Sequence, residues 1–409
     1  MGDGLSYVSG GVAKDISAAQ KCNHLVSKKL SVSRLDGIVA VSGWGRAGLY
    51  CEAGLIRTSK IYRECPEGNL FSWGNEVPDE ITDPVFYLGV WHVCWGHCLT
   101  DQLKFLWPII RPGGLGELSG CKFMAVMMDP GQKEVENFSA LLGCFGIDSR
   151  SVIVVSGVCR VRTCYLADEC FWCESVLLKN VSPVVAAANA RRYFTCEYMD
   201  VVESVCHRLN EQMPAAYREK CPTKVYLTRT GWHGWDFGER RVEEAFEKAG
   251  FSIVHPERLS LGELVVLLNN ADVVAACEGS CAHNSVFMRK GAKLIILRKH
   301  NFINQYQMAI NQARKLDVVY VDANASFIFY HGNWHNGGPF FIYVSKNLAR
   351  LLGVPPEFPI GEFVRYVVWS SYMKYGHLVC EYLRRMRRML KSCGTVYPRR
   401  RLSLRRSGI

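Results

Sequence analysis

The sequence has no uninterrupted apolar run of the roughly 18 to 20 residues that a bilayer-spanning helix requires. Its start, "MGDGLSYVSGGVAKD", lacks the basic segment followed by an apolar segment that defines a signal peptide. We therefore expect a cytoplasmic protein. A length of 409 residues, with 49% hydrophobic and 21% charged residues, is typical of a folded chain with a sizeable core and room for two domains.

The 18 cysteines do not form the repeated pairs of a usual structural zinc site. They are densest in "CRVRTCYLADECFWC", which holds Cys159, Cys164, Cys170 and Cys173 but a single C-x-x-C. Four ligands must converge on a structural zinc ion, and the usual motifs supply two such pairs or a histidine pair. Most of the cysteines are therefore interpreted as small buried apolar residues, and zinc binding by residues 159–173 stays open.

The C-terminal segment has no acidic residue. Residues 384–409 contain ten Lys or Arg, so the preceding 383 residues contribute only about +1 of the formal charge of +11. Such a segment is attracted to an anionic membrane surface, which would place the protein on the inner face of a membrane. A solvated helix end is the alternative. A nucleic-acid partner is not expected, because the segment has no ladder of aromatic residues for stacking bases.

The first half of the chain alternates short apolar runs with helical patterns, which predicts an α/β fold with a largely parallel sheet. The predicted strands are residues 37–43, 84–90, 122–128 and 151–157, and the predicted helices are 95–110, ending near Pro108, and 131–146. A further helix is predicted over residues 199–213.

From residue 224 onward the alternation is strict. The predicted strands are 224–229, 251–256, 272–277, 292–298 and 317–322, and the predicted helices are 238–250, 260–271, 282–291 and 304–316. A helical tail begins at about Phe363. We therefore divide the chain into domains at 1–215 and 216–345, followed by a helical segment at 346–409 with the basic tail. Two doubly wound domains facing each other would bind a ligand between the carboxyl ends of their strands.

The stretch "CEGSCAHN", residues 277–284, follows a predicted strand and opens a helix. Gly279 and Ser280 permit a sharp turn, and the N–H groups at a helix start suit a phosphate. Glu278 would then accept a hydrogen bond from a sugar hydroxyl of a nucleotide, as the acidic residue of a dinucleotide fold does. His283 and Asn284, on the first turn, favour a ligand site over an ordinary helix cap.

The stretch "YLTRTGW" places Thr228, Arg229 and Thr230 at the end of the first strand of the second domain. An arginine at this edge suits a bidentate contact with a diphosphate. Arg240, one turn into the next helix, is a second candidate. At least one of Arg240 and its neighbour Arg241 is instead expected to be a solvated surface residue.

The stretch "GVWHVCWGHCLTDQ" places His97 and Asp101 four residues apart, on one face of a helix. Such a pair can act as a general base toward a hydroxyl nucleophile. A metal site at His92, Cys94 and His97, whose spacing is not a standard one, and a purely structural role for the pair remain the alternatives.

Several segments together resemble glycosyltransferase family 61, whose bacterial members act in capsular polysaccharide biosynthesis. They are "GHCLTDQLKFLWP", "VYLTR" with the arginine-rich helix after it, "LSLGELVVLLNNADVVAACEGSCAHNSVFMRKGAKLIIL" and "NQYQMAINQARKLDVVYVDA". The resemblance covers roughly residues 84–325. Many relatives have a "HGAGLTN"-like turn, so Glu278 stands at a histidine position and His283 at a threonine position.

The resemblance implies a GT-B architecture, in which two Rossmann-like domains face each other and the N-terminal one lies on the acceptor side. It implies an inverting, metal-independent transferase that needs no cofactor and moves a sugar from a nucleotide-sugar donor to a glycan or lipid-linked acceptor. Asp101 is the expected base, with His97 beside it. The absence of a D-x-D tripeptide agrees with metal independence.

By position, the resemblance places the donor pocket in the second domain. The implied donor-binding residues are Arg229, Glu278, Gly279, Ser280, His283 and Asn284, to which the strand-end argument adds Thr228, Thr230 and Arg240. The competing hypotheses are an inactive nucleotide-sugar-binding protein and a nucleic-acid-binding protein that uses the basic tail.

Overall fold

The computed structural model describes most of the chain. The described residues are 5–8, 10–56, 59, 79–129, 136–174, 191–231, 236–299, 303–325 and 339–394. The last part of the basic segment, residues 395–409, lies outside them.

The strands are, in chain order, β1 (Val32–Val41), β2 (Gly48–Cys51), β3 (Gly54–Leu55), β4 (Asp79–Ile81), β5 (Val85–Trp91), β6 (Lys122–Met127), β7 (Ile153–Val155), β8 (Val158–Ala167), β9 (Phe171–Glu174), β10 (Arg191–Phe194), β11 (Lys224–Leu227), β12 (Asp236–Phe237), β13 (Ser252–Val254), β14 (Val273–Cys277), β15 (Lys293–Arg298), β16 (Asp317–Asp322) and β17 (Phe340–Phe341).

The α-helices are α1 (Gly10–Lys21), α2 (Trp95–His97), α3 (Trp107–Ile110), α4 (Gly114–Glu117), α5 (Glu136–Gly143), α6 (Cys196–Gln212), α7 (Ala215–Arg218), α8 (Glu239–Lys248), α9 (Leu261–Asn270), α10 (Ser280–His283), α11 (Gln305–Ala313), α12 (Lys346–Leu352) and α13 (Ile360–Gly394). Among the described residues, no helix has both the length and the apolar content needed to cross a bilayer.

The first sheet has eight strands, in the order β3-β2-β1-β8-β5-β6-β7, with β4 paired to β8. Strands β4, β8, β5, β6 and β7 run parallel, as the sequence predicts for this half. The pairs β1–β2, β2–β3 and β1–β8 are antiparallel, so the sheet is mixed rather than largely parallel. Strands β1, β2 and β3 form the antiparallel part, and β8 joins them to the parallel strands. Strand β8 covers much of the cysteine-rich stretch, for which the sequence analysis predicted no strand.

The second sheet has five parallel strands in the order β13-β11-β14-β15-β16. All five strands were predicted from the alternation after residue 224. Because β11 lies between β13 and β14, the chain reverses its direction of winding between β11 and β14. The carboxyl ends of these two neighbouring strands therefore form the topological switch point, where sheets of this type bind ligands.

Helices cover both faces of the second sheet. Successive side chains of a strand point to opposite faces, so neighbouring residues of β14 belong to different clusters. Val274 and Ala276 belong to the main core, which also contains α9 and α6 residues and extends to the first sheet. Ala275 and Cys277 belong to a second cluster with residues of α8 and α12. The main core is therefore continuous between the two sheets and fixes the strand ends of one against the other.

Two predicted helices are less regular than expected. Residues 95–110 form the short helix α2, a π-helix at Cys98–Gln102, a 3₁₀-turn at Leu103–Phe105 and then α3. Pro108 does not end a helix but lies in the first turn of α3, where its missing N–H is not needed. The helix predicted at 282–291 is instead α10 followed by a 3₁₀-turn at Asn284–Phe287.

Candidate active site

The stretches "YLTRTGW" and "CEGSCAHN" follow adjacent strands of the second sheet at the switch point. Thr228, Arg229 and Thr230 follow β11, and Glu278 with Gly279 follows β14. Gly279 has φ 115°, a positive value that side chains other than glycine rarely tolerate, so it makes the sharp turn that the sequence predicts. The following helix α10 has only four residues, and the turn therefore offers individual N–H groups rather than a long helix dipole.

The stretch "GVWHVCWGHCLTDQ" contacts this turn directly. Trp95 Nε1 donates a hydrogen bond of 2.6 Å to Asn284 Oδ1, and Cys94 Sγ lies 3.5 Å from Ser280 Oγ. A glycine at position 96 permits the two segments to approach closely, because a Cβ placed there would lie 2.8 Å from Ser280 Oγ. The segment that carries His97 and Asp101 therefore meets the turn at residues 278–284, and the site lies between the two sheets.

His97 and Asp101 are hydrogen-bonded, with 2.7 Å between His97 Nδ1 and Asp101 Oδ2. The π-helix at Cys98–Gln102 contains Asp101, and Thr100 Oγ1 donates a second hydrogen bond of 2.9 Å to the same oxygen. Lys104 Nζ lies 4.0 Å from Asp101 Oδ1 and 2.8 Å from the carboxylate of Glu169. Asp101 is thus enclosed by donors and positive charge.

The protonation state of this pair follows from those contacts. Burial acts to raise the pKa of Asp101, but the hydrogen bond from His97 and the nearby charges of His97, Lys104 and Arg192 outweigh it and lower the pKa. Asp101 is therefore a carboxylate at neutral pH, and it accepts a hydrogen bond from the Nδ1–H group of His97. Only 6% of the Asp101 side chain is exposed, against 14% for His97, so the imidazole is the more accessible member.

His283 lies on the other side of the site, with a fixed tautomer. Its Nδ1 lies 2.9 Å from Gln307 Oε1, while Gln307 Nε2 donates to Ser285 and Asn311. The amide oxygen must accept, so His283 carries its proton on Nδ1 and its Nε2 is an acceptor. Burial lowers the pKa of His283 to about 4, which makes it a neutral acceptor at pH 7.

The ring of Tyr306, from α11, lies near both histidines. Its ring centroid lies 6.1 Å from that of His97 and 6.1 Å from that of His283. The guanidinium carbon of buried Arg192, on β10, lies 4.0 Å from the centroid of the same ring. Sequence analysis missed both residues, because β10 was not predicted and Tyr306 was assigned only to a helix.

Two basic residues, Arg229 and Lys299, lie close to the turn. Arg229 Nη1 forms an ion pair of 2.7 Å with Asp236, and buried Lys299, which follows β15, lies 4.4 Å from the Phe340 ring centroid. Burial raises the pKa of the Cys281 thiol to about 12, against the opposing positive charges of Arg229 and Lys299. Both charges therefore act on the turn, and Lys299 is a third site residue that the sequence analysis missed.

Glu239 holds the backbone of Arg229 in place through a hydrogen bond. The Glu239 carboxylate accepts hydrogen bonds of 3.0 Å from the Arg229 N–H and 3.0 Å from the Tyr226 hydroxyl. Thr228 is also buried and donates to Glu243. Burial, followed by the charge of Asp236, raises the pKa of Glu239 to about 7. Thr228 therefore shapes the loop, and Arg229 is the residue of this motif that offers charge.

A cavity of about 760 Å³ lies beside this loop. Arg229, Thr230 and Arg240 line it, together with residues at the start of α13. The turn at residues 278–284 is not among its lining residues, so the predicted donor-binding residues divide into two groups. Arg240 is exposed, and Arg229 is the member that lines the cavity and also acts on the turn.

Glu278 lies deeper than the sequence predicts. Only 3% of it is exposed, and its carboxyl group accepts backbone hydrogen bonds from Lys299 and Asn304. Burial raises its pKa to about 7 despite the nearby charges of Arg298 and Lys299. These contacts tie the β14 turn to the loop after β15.

Within the described residues, one group of at least three metal-ligand side chains lies close together. The ligand atoms of His92, Cys94 and His97 lie within 4.8 Å of one another. His92 Nδ1 accepts a hydrogen bond of 3.0 Å from the Cys94 N–H, so the neutral ring carries its proton on Nε2. This tautomer does not offer Nε2 as a metal ligand. The cysteines at 159–173 do not form a comparable group.

The loop after β13 adds two further residues that the sequence analysis did not select. His255 and Glu257 fill the space beside Gly231 so closely that a side chain at this glycine would collide with both. The negative charge of Glu257 raises the pKa of Cys281, whereas the positive charges of Arg229 and Lys299 lower it. A polar residue pair after a predicted strand was the signal that could have selected them.

The sequence model of the family Glycosyltransferase 61 matches residues 95–295, just under half of the chain. The matched segment starts at Trp95 and ends in β15, so it contains both motifs that meet between the sheets. This match supports the resemblance to that family and indicates glycosyltransferase activity. No curated protein matches the chain at a significant level.

Proposed function

We propose that this chain is an inverting glycosyltransferase of family 61 that transfers a sugar from a nucleotide-sugar donor to a glycan or lipid-linked acceptor in surface polysaccharide biosynthesis. The observation that carries the proposal is the hydrogen bond from Trp95, two residues before His97, to Asn284 in the turn at residues 278–284, with both residues inside the family match. We assign a GT-B architecture, with an acceptor-side domain at 1–215, a donor-binding domain at 216–345 and a helical segment at 346–409.

The donor diphosphate binds at the turn after β14 in this proposal. Arg229 and Lys299 supply positive charge on its two flanks, and N–H groups of the turn supply hydrogen bonds. Negative charge grows on the diphosphate as the glycosidic bond breaks. These groups stabilise it without a metal ion, which is why the reaction is assigned as metal-independent.

The acceptor hydroxyl is activated from the opposite side by His97 and Asp101. The sequence analysis placed the base on Asp101, but its carboxylate is enclosed and already accepts two hydrogen bonds. We therefore assign proton transfer to Nε2 of His97. Asp101 holds the imidazole in the tautomer with Nδ1 protonated and stabilises the imidazolium. Attack then occurs on the face opposite the diphosphate and inverts the anomeric configuration.

His283 and Tyr306 complete the space between the base and the turn. The neutral Nε2 of His283 accepts a hydrogen bond at any pH well above 4 and suits a hydroxyl of the transferred sugar. The Tyr306 ring lies 6.1 Å from each of the two histidine rings and holds both in place. The basic residues from Arg384 onward attract the enzyme to the anionic inner face of a membrane, where a lipid-linked acceptor is available.

A thermal-unfolding screen against nucleotide sugars tests the donor site. A donor present at 100 times its Kd stabilises the folded state by about 2.7 kcal/mol and raises the melting temperature. Lys299→Met should reduce this rise by removing a charge beside the turn, whereas Lys248→Met, on an exposed helix end, should not. If no nucleotide sugar shifts the unfolding of the wild-type chain, the proposal is wrong.

A further inference from the structure

Helix α13 packs on the body near its start, where its described ring contacts with β17 lie. Phe363 and Tyr366 pack on Phe341 of β17, with ring centroids 5.1 and 5.9 Å apart. Tyr366 and Ser370 are fully buried, but further along the described side chains are partly or fully exposed. Since a helix rises about 1.5 Å per residue, the part after Ser370 extends roughly 35 Å.

The exposed part of α13 has one continuous apolar face. Tyr372, Tyr375, Val379, Tyr382 and Met386 follow each other at spacings of three and four residues, which places them on one side of the helix. They are between 37% and 68% exposed. This row of large apolar side chains is therefore solvent-facing, and a surface of this size on one element indicates a binding surface.

The apolar face is wider than a coiled-coil seam. Leu378 and Leu383, both more than half exposed, flank the row on its two sides. A two-stranded coiled coil needs only the two apolar positions of each heptad, whereas a helix lying in a membrane interface presents a broad apolar face. Tyrosine, with an apolar ring and a polar hydroxyl, is typical of that interface.

Charge decides between the two partners. Glu381, Arg384 and Arg385 lie outside the apolar row, and ten basic residues with no acidic one occupy residues 384–409. A second copy of this chain would bring the same positive charge to the interface. An anionic lipid surface complements it, and apolar insertion together with a basic segment gives the two signals that stable membrane attachment requires.

We propose that α13 lies in the plane of an anionic membrane, with Tyr372, Tyr375, Val379, Tyr382, Leu383 and Met386 inserted among the lipids. The basic residues from Arg384 onward then contact the headgroups. The helix attaches the protein by insertion as well as by charge, and this inference stands on the helix alone, whatever reaction the site between the sheets performs.

The test uses the full chain and two matched variants. Val379→Asn places a polar residue on the apolar row. The control Cys380→Asn introduces the same amide side chain at the next position, which is exposed and lies on the polar side of the helix. Both leave the net charge and the buried core unchanged. Co-sedimentation is measured with vesicles of phosphatidylcholine alone and with vesicles that also contain phosphatidylglycerol.

The wild-type chain should sediment with the anionic vesicles. Val379→Asn should weaken this binding at least tenfold, because burying a valine side chain contributes one or more factors of ten. Cys380→Asn should bind within about twofold of wild type. Equal binding of Val379→Asn and wild type, or no binding by the wild type, would overturn the proposal. A dimer in light scattering that Val379→Asn dissociates, without vesicle binding, would assign the face to a second copy instead.

Discussion

Arg229 is ion-paired to a buried acid, and its removal should therefore affect stability as well as donor binding. In the Arg229→Ala variant, Asp236, with 6% of its side chain exposed, loses the cation at 2.7 Å and faces Glu239 without compensation. Breaking a fully buried pair costs about 3 to 5 kcal/mol. Because 27% of the Arg229 side chain is exposed, we discount this to about 2 kcal/mol.

The loss of stability should depend on pH in a defined direction. Burial and the charge of Asp236 raise the pKa of Glu239 from 4.5 to about 7, while Arg229 opposes them. The folded state therefore holds this proton more tightly than the unfolded chain does. The associated stability is present below about pH 4.5 and is lost as the pH rises through about 7. Without Arg229, the destabilisation should be larger at pH 8 than at pH 6.

Chemical unfolding of three variants at both pH values measures this effect. Arg229→Ala combined with Asp236→Asn should recover most of the stability at pH 8, since the uncompensated acid is also removed. Arg241→Ala, which breaks exposed pairs with Glu244 and Glu357, should cost less than about 1 kcal/mol. If the single and double variants at Arg229 unfold alike at pH 8, the ion-pair reasoning is refuted. The folded double variant is also the one in which donor affinity should be measured.

Two further predictions concern the contact between the sheets and the absence of a metal requirement. Gly96→Ala should lower the rate of sugar transfer at least tenfold, because the added Cβ would lie 2.8 Å from Ser280 Oγ. The control Gly143→Ala, which has open space around it, should transfer at the normal rate. Equal rates for the two variants in a transfer assay would contradict the contact. Excess EDTA should leave activity unchanged, and activity restored only by added metal would instead implicate His92, Cys94 and His97.

The second sheet could be predicted from the sequence almost completely. Strand β14, with its glycine turn, and its neighbours have apolar runs of strand length that alternate with helices, and Ser260 with Glu263 forms the capping box that starts α9. These signals are local, so they do not depend on the rest of the chain. The order of the strands, and hence the switch point between β11 and β14, required the structure.

The first sheet was less predictable because one of its signals was interpreted differently. In β8, Cys159, Val161 and Thr163 are buried while Arg160 and Arg162 are exposed, an alternation visible in the sequence. Because the cysteines of this stretch were considered as zinc ligands, no strand was predicted from this alternation. The π-helix around Asp101 had no such signal, since helical spacing alone does not distinguish a π-helix from an α-helix.

The site itself was predicted as residue types but not as partners. Sequence position brought His97 and Asp101 onto one face, and the structure added the buried surroundings that make Asp101 a poor proton acceptor. Glu278 was expected at a ligand, but the loop after β15 covers it. Lys299 and Tyr306 were missed because contacts between distant segments place them there, and no local pattern reports such contacts.

The most direct test of the central claim compares transfer and donor binding in variants of the His97–Asp101 pair, once the screen has identified a donor. We expect His97→Ala and Asp101→Asn each to lower kcat by about 10² to 10⁴ while the donor Kd stays within a few-fold of wild type. Added imidazole should restore part of the activity of His97→Ala but not of Asp101→Asn. If both variants transfer sugar at the wild-type rate with donor binding intact, the pair is structural and the proposed mechanism is wrong.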